Sequence, residues 1–170
     1  MTPLTTARLR LREFTLDDAA FVLRLLNEPS FIANIADRGV RTIADAERYL
    51  ADGPMTSYAR HGFGLWMVEA LGSGIPVGMC GLIRREGLED ADIGYAFVPE
   101  FWGAGFATEA GAATLSLARE SFGLERVVAI VSPGNARSVR VLERLGFADE
   151  GMVKLKEDSE PLRFFGVALG

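Results

Sequence analysis

Two glycines one residue apart, Gly103 and Gly105, stand where a strand-like run stops and an amphipathic helix starts. No other stretch restricts the fold as much. Upstream, Ala91 to Val98 has the apolar content of a strand, and Pro99 removes the next ladder donor. Downstream, Ala107, Ala110, Gly111, Leu115, Ala118 and Phe122 recur on one helical stripe broken only by Thr114, with Gly123 placed to stop the helix. Unpaired N–H groups and the positive end of the helix dipole gather at such a start, and residues without side chains let an anion reach the main chain. Taken alone, the glycine pair is served as well by a tight strand-to-helix turn.

Two familiar phosphate loops can be set against this segment. A Walker loop needs Gly-Lys-Ser/Thr, which does not follow. A dinucleotide fingerprint needs a third small residue near Thr108 and an acid ending the next strand; Glu125 instead precedes the strand Arg126 to Val131.

The 170 residues are 49% hydrophobic and contain no linker, repeat or low-complexity tract, so a single domain over residues 1–170 is expected. The apolar runs are too short to span a bilayer, and Met1-Thr2-Pro3-Leu4 lacks the features of a signal peptide. A cytoplasmic protein without membrane association is expected. Cys80, the single cysteine, lies among apolar strand residues and reads as a buried thiol; one histidine, His61, in an expected loop, leaves no histidine-rich metal site. No metal is expected. The net charge is −5, and the bases, almost all arginine, are scattered, which argues against a nucleic-acid face and weakly favours a cationic amine as ligand.

Arg8-Leu9-Arg10-Leu11-Arg12 alternates at the head of a strand reaching Phe14. Thr15 then caps a helix with Asp17 and Asp18 at its positive end. Pro29 to Arg41 has weak periodicity and reads as a loop, and a second helix is expected after Thr42. Gly64 to Ala70 and Ile75 to Ile83 form a hairpin around Leu71-Gly72-Ser73-Gly74, extended by the strand ending at Val98. After the strand at Arg126, a short helix runs from Asn135 to Leu145, and strands follow near Phe147 to Leu155 and Arg163 to Leu169. The expected fold class is α+β: a mixed, mostly antiparallel sheet of about seven strands with four helices on its faces.

Asn135, Ser138, Leu142 and Leu145 share one stripe of the last helix. Two polar residues at its start serve either as a helix cap or as ligands.

This order of elements resembles the GCN5-related N-acetyltransferase (GNAT) superfamily. Leu9-Arg10-Leu11-Arg12, Asp92-Ile93-Gly94-Tyr95, the run Trp102 to Ala110, and Asn135-Ala136-Arg137-Ser138 followed by Leu145-Gly146-Phe147 are similar to its RimJ/RimL branch. The resemblance spans nearly the whole chain. It implies acetyl-CoA in a cleft where the fourth and fifth expected strands splay apart, with Phe97 and Val98 offering main-chain groups to the pantetheine. The N–H groups of Gly103, Ala104, Gly105, Phe106, Ala107 and Thr108 would take the pyrophosphate. Asn135 would meet the pantetheine or a water, and Ser138 the thioester sulfur. Asp92 occupies the place of the superfamily's catalytic glutamate; a structural or substrate-orienting role is the other reading.

Two departures are visible. Glu100 stands where Gln or Arg is usual and should point away from a pyrophosphate. Leu142 stands where many members have a tyrosine acid, which shifts that role to Ser138 or removes the need for it. Direct attack of a neutral amine on the thioester is implied, with an N–H near Val98 polarising the carbonyl. A protein N-terminal α-amine is favoured by the branch resemblance over a small-molecule amine; an acyl-CoA-binding sensor without turnover is the other class of reading. A homodimer through the sheet edge or the last strands is left open, since no sequence feature decides it.

Overall fold

The computed structural model describes residues 1–170. It confirms the α+β class, with eight strands and six α-helices in place of about seven and four. In chain order these are β1 (Leu4–Thr5), β2 (Leu9–Arg12), α1 (Ala19–Leu26), α2 (Pro29–Asn34), α3 (Ile43–Leu50), α4 (Thr56–His61), β3 (Leu65–Ala70), β4 (Pro76–Ile83), β5 (Asp92–Phe97), α5 (Phe106–Glu120), β6 (Arg126–Val131), α6 (Ala136–Arg144), β7 (Ala148–Val153) and β8 (Leu162–Ala168). The strands form one sheet in the order β1-β2-β3-β4-β5-β6-β8-β7, antiparallel throughout except where β5 meets β6.

The extra strand is the two-residue β1, which pairs Leu4 with Leu11. The extra helices lie where periodicity had little to read. Pro29 opens α2 at a position whose N–H is unpaired in any helix, and only Phe31 of its turns is buried. Ile32 and Ile35 stay exposed, so no apolar stripe marks the segment. Between α3 and α4 the chain widens into a π turn, Ala51–Met55, around Pro54, which has no N–H to give. His61 therefore ends a helix rather than occupying a loop, and Gly62 caps it at φ +80°.

Alternation along the strands divides the core between two faces. Trp66, Val68, Cys80, Leu82, Ile93 and Phe97 pack toward α5 and α6. Met67 and Met79, one residue out of step with them, pack with Phe14, Val22, Leu25 and Leu50 toward α1 and α3. The start of α1 is fastened to β2 by Arg12, whose guanidinium donates to both oxygens of Asp18 at 2.9 Å, while Asp18 also accepts from the Thr15 N–H in a capping box.

The sheet is nearly cut in two. A single parallel pair, Asp92 with Val128, joins β5 to β6, closed by the Val128 N–H on the Ala91 carbonyl at 3.0 Å. Beyond it the strands diverge, at the place where the resemblance put the splay.

Candidate active site

Main-chain direction along β5 decides what the splay offers. The Val98 N–H bonds the Val77 carbonyl at 3.0 Å, so by alternation Asp92, Gly94 and Ala96 turn their main-chain groups toward β4. Tyr95 and Phe97 turn theirs the other way, into the splay, as Ala91 does in meeting Val128. Val98 is thereby corrected as a cofactor contact and carbonyl-polarising donor: its N–H is used by Val77 and its carbonyl by the Phe101 N–H at 3.0 Å. The Phe97 carbonyl is also taken, by the Trp102 indole N–H at 2.9 Å.

A cleft of about 630 Å³ fills the splay and runs to the start of α5. Asp92, Phe97, Gly103, Gly105, Phe106, Ala107, Thr108, Asn135 and Ser138 all line it. Ala104 does not; it is an exposed residue at the loop tip. Gly103 and Gly105 adopt φ +84° and +82°, the left-handed region, and a Cβ on Gly103 would touch nothing. Backbone conformation, rather than crowding, demands glycine there. Gly105 is the N-cap of α5 and brings no side chain to the free N–H groups of the first turn.

A cation that sequence reasoning missed stands beside this loop. Arg8 donates from Nε to Glu109 at 2.7 Å and from its main chain at 2.9 Å, and its guanidinium lies 4.7 Å from the centre of the Phe106 ring. Against desolvation, hydrogen bonds from Thr6 and Arg8 hold the Glu109 carboxyl below its usual range. Glu100 is turned away, paired with Arg24 of α1. Across the cleft mouth Trp102 lies under the Arg137 guanidinium at 4.0 Å, tying the loop to α6. Arg137, Arg140 and Arg144 line the cleft at helical spacing, with no carboxylate paired to any of them.

Asp92 and Ser138 reach the cleft from opposite faces of the sheet. Asp92 has the parity of Ala96, on the side of α1 and α3, and is 1% exposed. Arg85 donates to its two oxygens at 3.3 Å each. Burial pushes the Asp92 carboxyl above its usual range, and Arg85 pulls it part of the way back. On the other side, Asn135 caps α6 by accepting the Ser138 N–H at 3.3 Å.

The Ser138 hydroxyl lies 2.8 Å from the Tyr95 hydroxyl, which also donates to the Ser138 carbonyl at 3.0 Å. Tyr95 does face away from Asp92 as the strand alternation requires, yet it is only half-buried and bridges the splay to α6. Burial holds its phenol well above the usual range. Leu142, where a tyrosine was absent, is fully buried.

Cys80 takes no part: it is fully buried outside the cleft, hydrogen-bonded to Thr114 at 3.3 Å, and burial pushes its thiol up to about 12. No cluster of three His, Cys, Asp or Glu side chains is placed to hold a metal ion, and no helix is long and apolar enough to cross a membrane.

A sheet split at one parallel pair, with a glycine turn and a bare helix start at the end of the split, defines an acetyltransferase of the GNAT class. The chain belongs to that family: residues 8–148 match the Acetyltransferase (GNAT) domain. The uncharacterized protein YkkB of Bacillus subtilis (strain 168) is 30% identical over 148 residues, covering 85% of this chain and 84% of YkkB. The acetyltransferase from Agrobacterium tumefaciens str. C58 superimposes with a TM-score of 0.83 at 23% identity, covering 98% of this chain and 94% of that one. RimL, the ribosomal L7/L12 alpha-N-protein acetyltransferase, does so at 0.81 and 16%, covering 97% and 96%. Identities this low speak for the fold.

Proposed function

We propose that this GNAT N-acetyltransferase uses acetyl-CoA, works as one domain over residues 1–170, and acetylates a protein N-terminal α-amine in the manner of the RimJ/RimL branch. The observation that carries the cosubstrate is the row of main-chain groups at Tyr95 and Phe97. They turn into a slot that ends on the uncapped first turn of α5. A thread-like chain of amides ending in a pyrophosphate matches that order of donors. Arg8 beside Gly105 and Arg137 over Trp102 add positive charge at the phosphate end. RimL was solved with coenzyme A, and the related fold of the MccE acetyltransferase with acetyl-CoA and AMP, which supports the same choice here.

Acetyl-CoA, when bound, supplies an activated acetyl thioester. The Tyr95 and Phe97 N–H groups are the donors available to its carbonyl oxygen, replacing Val98 in that role. Asp92 receives the amine proton through a water: burial makes it a stronger base than a solvated aspartate, an effect that Arg85 offsets in part. A free α-amine titrates near ~8 and a lysine amine near ~10.4, so at neutral pH the lysine costs roughly 3 kcal/mol more to deprotonate. A modest base such as Asp92 therefore suits an α-amine.

Ser138 protonates or hydrogen-bonds the departing thiolate. Tyr95 has one proton; when it donates to the Ser138 hydroxyl, the serine proton is free to turn into the cleft. Ser138→Ala is expected to lower kcat on the order of 100-fold while acetyl-CoA affinity holds. Tyr95→Phe is expected to act in the same direction. An unchanged rate for Ser138→Ala would assign that side chain to packing.

Thiol release from acetyl-CoA, measured against peptides, lysine derivatives and small amines, tests the reading as a whole. Turnover is expected first with peptide α-amines. A preference for small amines would move the acceptor away from the RimJ/RimL class, and background hydrolysis alone would favour a sensor.

A further inference from the structure

The chain carries more acid than base, yet its free arginines are gathered in two places. Nine of its arginines pair with carboxylates; Arg38, Arg60, Arg84, Arg119, Arg137, Arg140 and Arg144 do not. The three on α6 line the main cleft, Arg137 against Trp102 of the glycine loop. Arg38, Arg60 and Arg84 line a second cavity of about 490 Å³, bounded by the Ala51–Met55 turn, α4, the start of β3 and the end of β4. Only Arg119 lies elsewhere.

The second cavity shares part of its lining with the first. Arg38, Tyr49 and Arg85 line both, and Arg85 is the residue that holds Asp92. The Tyr49 hydroxyl makes no hydrogen bond, and burial raises its phenol against the opposing charges of Arg38 and Arg85. Asp52 is the one carboxylate lining the second cavity, and Arg84 spends a single hydrogen bond on the Glu89 carbonyl at 3.0 Å. Three unpaired guanidinium groups around one cavity against the single carboxylate of Asp52 leave an excess of positive charge, so an anion there gains charge-assisted hydrogen bonds. The coenzyme does not account for them, because its phosphates already have α5, Arg8 and α6 at the far end of the cleft.

We infer that the acetyl acceptor is an amine bearing an anionic group, a carboxylate or a phosphate, which sits among Arg38, Arg60 and Arg84 while the amine approaches Asp92. This rests on the acetyltransferase reading above and deepens it. It also reverses the preference for a cationic partner that the net charge alone favours.

The test is thiol release by the whole protein with acceptor pairs that differ only in the anion. A peptide beginning Ser-Glu is set against Ser-Gln, and O-phosphoethanolamine against ethanolamine. In at least one pair the anionic member is expected to have a kcat/KM higher by roughly tenfold to a hundredfold, expressed in KM and weakened by salt. The pair that shows it identifies carboxylate or phosphate as the anion. In an R38Q/R60Q double variant, made at two exposed positions, the ratio is expected to fall to about one, whereas R119Q keeps it. Neutral members used equally well, or a ratio that survives R38Q/R60Q, overturns the inference while leaving the acetyltransferase reading intact. Absence of thiol release with every amine overturns both.

Discussion

Replacing Gly105 by glutamate is expected to abolish acetyl-CoA binding. The residue sits at φ +82° immediately before the free N–H groups of α5, and a Cβ there would stand 3.4 Å from Nη2 of Arg8. A glutamate has two courses. If it faces the cleft, its charge meets a pyrophosphate; two unit charges about 4 Å apart near a protein surface repel by about 4 kcal/mol, and each 1.4 kcal/mol is about tenfold in affinity, so the loss is roughly 1,000-fold. If it pairs with Arg8 instead, it withdraws the cation nearest to it from the loop. Gly105→Ala separates charge from conformation: it carries only the left-handed cost of roughly 1–2 kcal/mol, and its affinity is expected to fall far less. Calorimetry that finds unchanged affinity for Gly105→Glu would remove the phosphate from this loop.

Asp92→Asn is expected to slow acetyl transfer on the order of 100-fold at neutral pH and, in the same protein, to raise the thermal midpoint. The two effects share one cause. Burial raises the carboxyl above its unfolded value even with Arg85 beside it. A raised acid binds its proton more tightly in the folded state. Its contribution to stability is therefore full below the unfolded pKa, falls as pH rises through the window up to the folded pKa, and leaves a deficit at neutral pH. Asparagine removes that deficit, and a gain of about 1 kcal/mol in a chain of this size shifts the midpoint by about 2–4 °C. Arg85 is partly exposed and keeps access to water once its partner is neutral. The acidic limb of the kcat/KM profile belongs to the same carboxyl: Arg85→Gln is expected to move it to higher pH, because the cation that opposes burial is gone. A limb that stays in place in Arg85→Gln, or full activity in Asp92→Asn, would leave Asp92 a structural residue.

The parts of this site that were legible in the sequence are those whose physics is local. Gly103 and Gly105 announce their loop because only glycine is at ease at positive φ, and the stripe from Ala107 to Ala118 announces the helix after it. Asn135 and Ser138 stand three residues apart on one helix, so spacing alone brings them together. The contacts that complete the site are not local. Arg8 reaches Glu109 across 101 residues, and Tyr95 reaches Ser138 across 43. Alternation along β5 puts Tyr95 on the face opposite Asp92, which in a closed sheet would be core; the sheet is open at that point, so that face is also a wall of the cleft. Val98 failed for a related reason. Its identity says nothing about which neighbour its N–H will meet, and register with β4 gives that N–H to Val77. The free arginines were invisible to net charge because it counts pairs and singles alike.

An unpaired strand edge is ordinarily a hazard, since its exposed N–H and C=O groups can template pairing with any passing chain. This molecule carries such an edge at Tyr95 and Phe97, in the interior of the sheet instead of at the rim. The rims themselves are poor templates: β1 is two residues long, and β7 shifts register between Asp149 and Met152. The inner edge opens into a slot walled by α6 and the start of α5, where a narrow extended ligand can lie but a second sheet cannot stack. One break in hydrogen bonding thus leaves main-chain donors open to a thread-like ligand while shielding them from another strand.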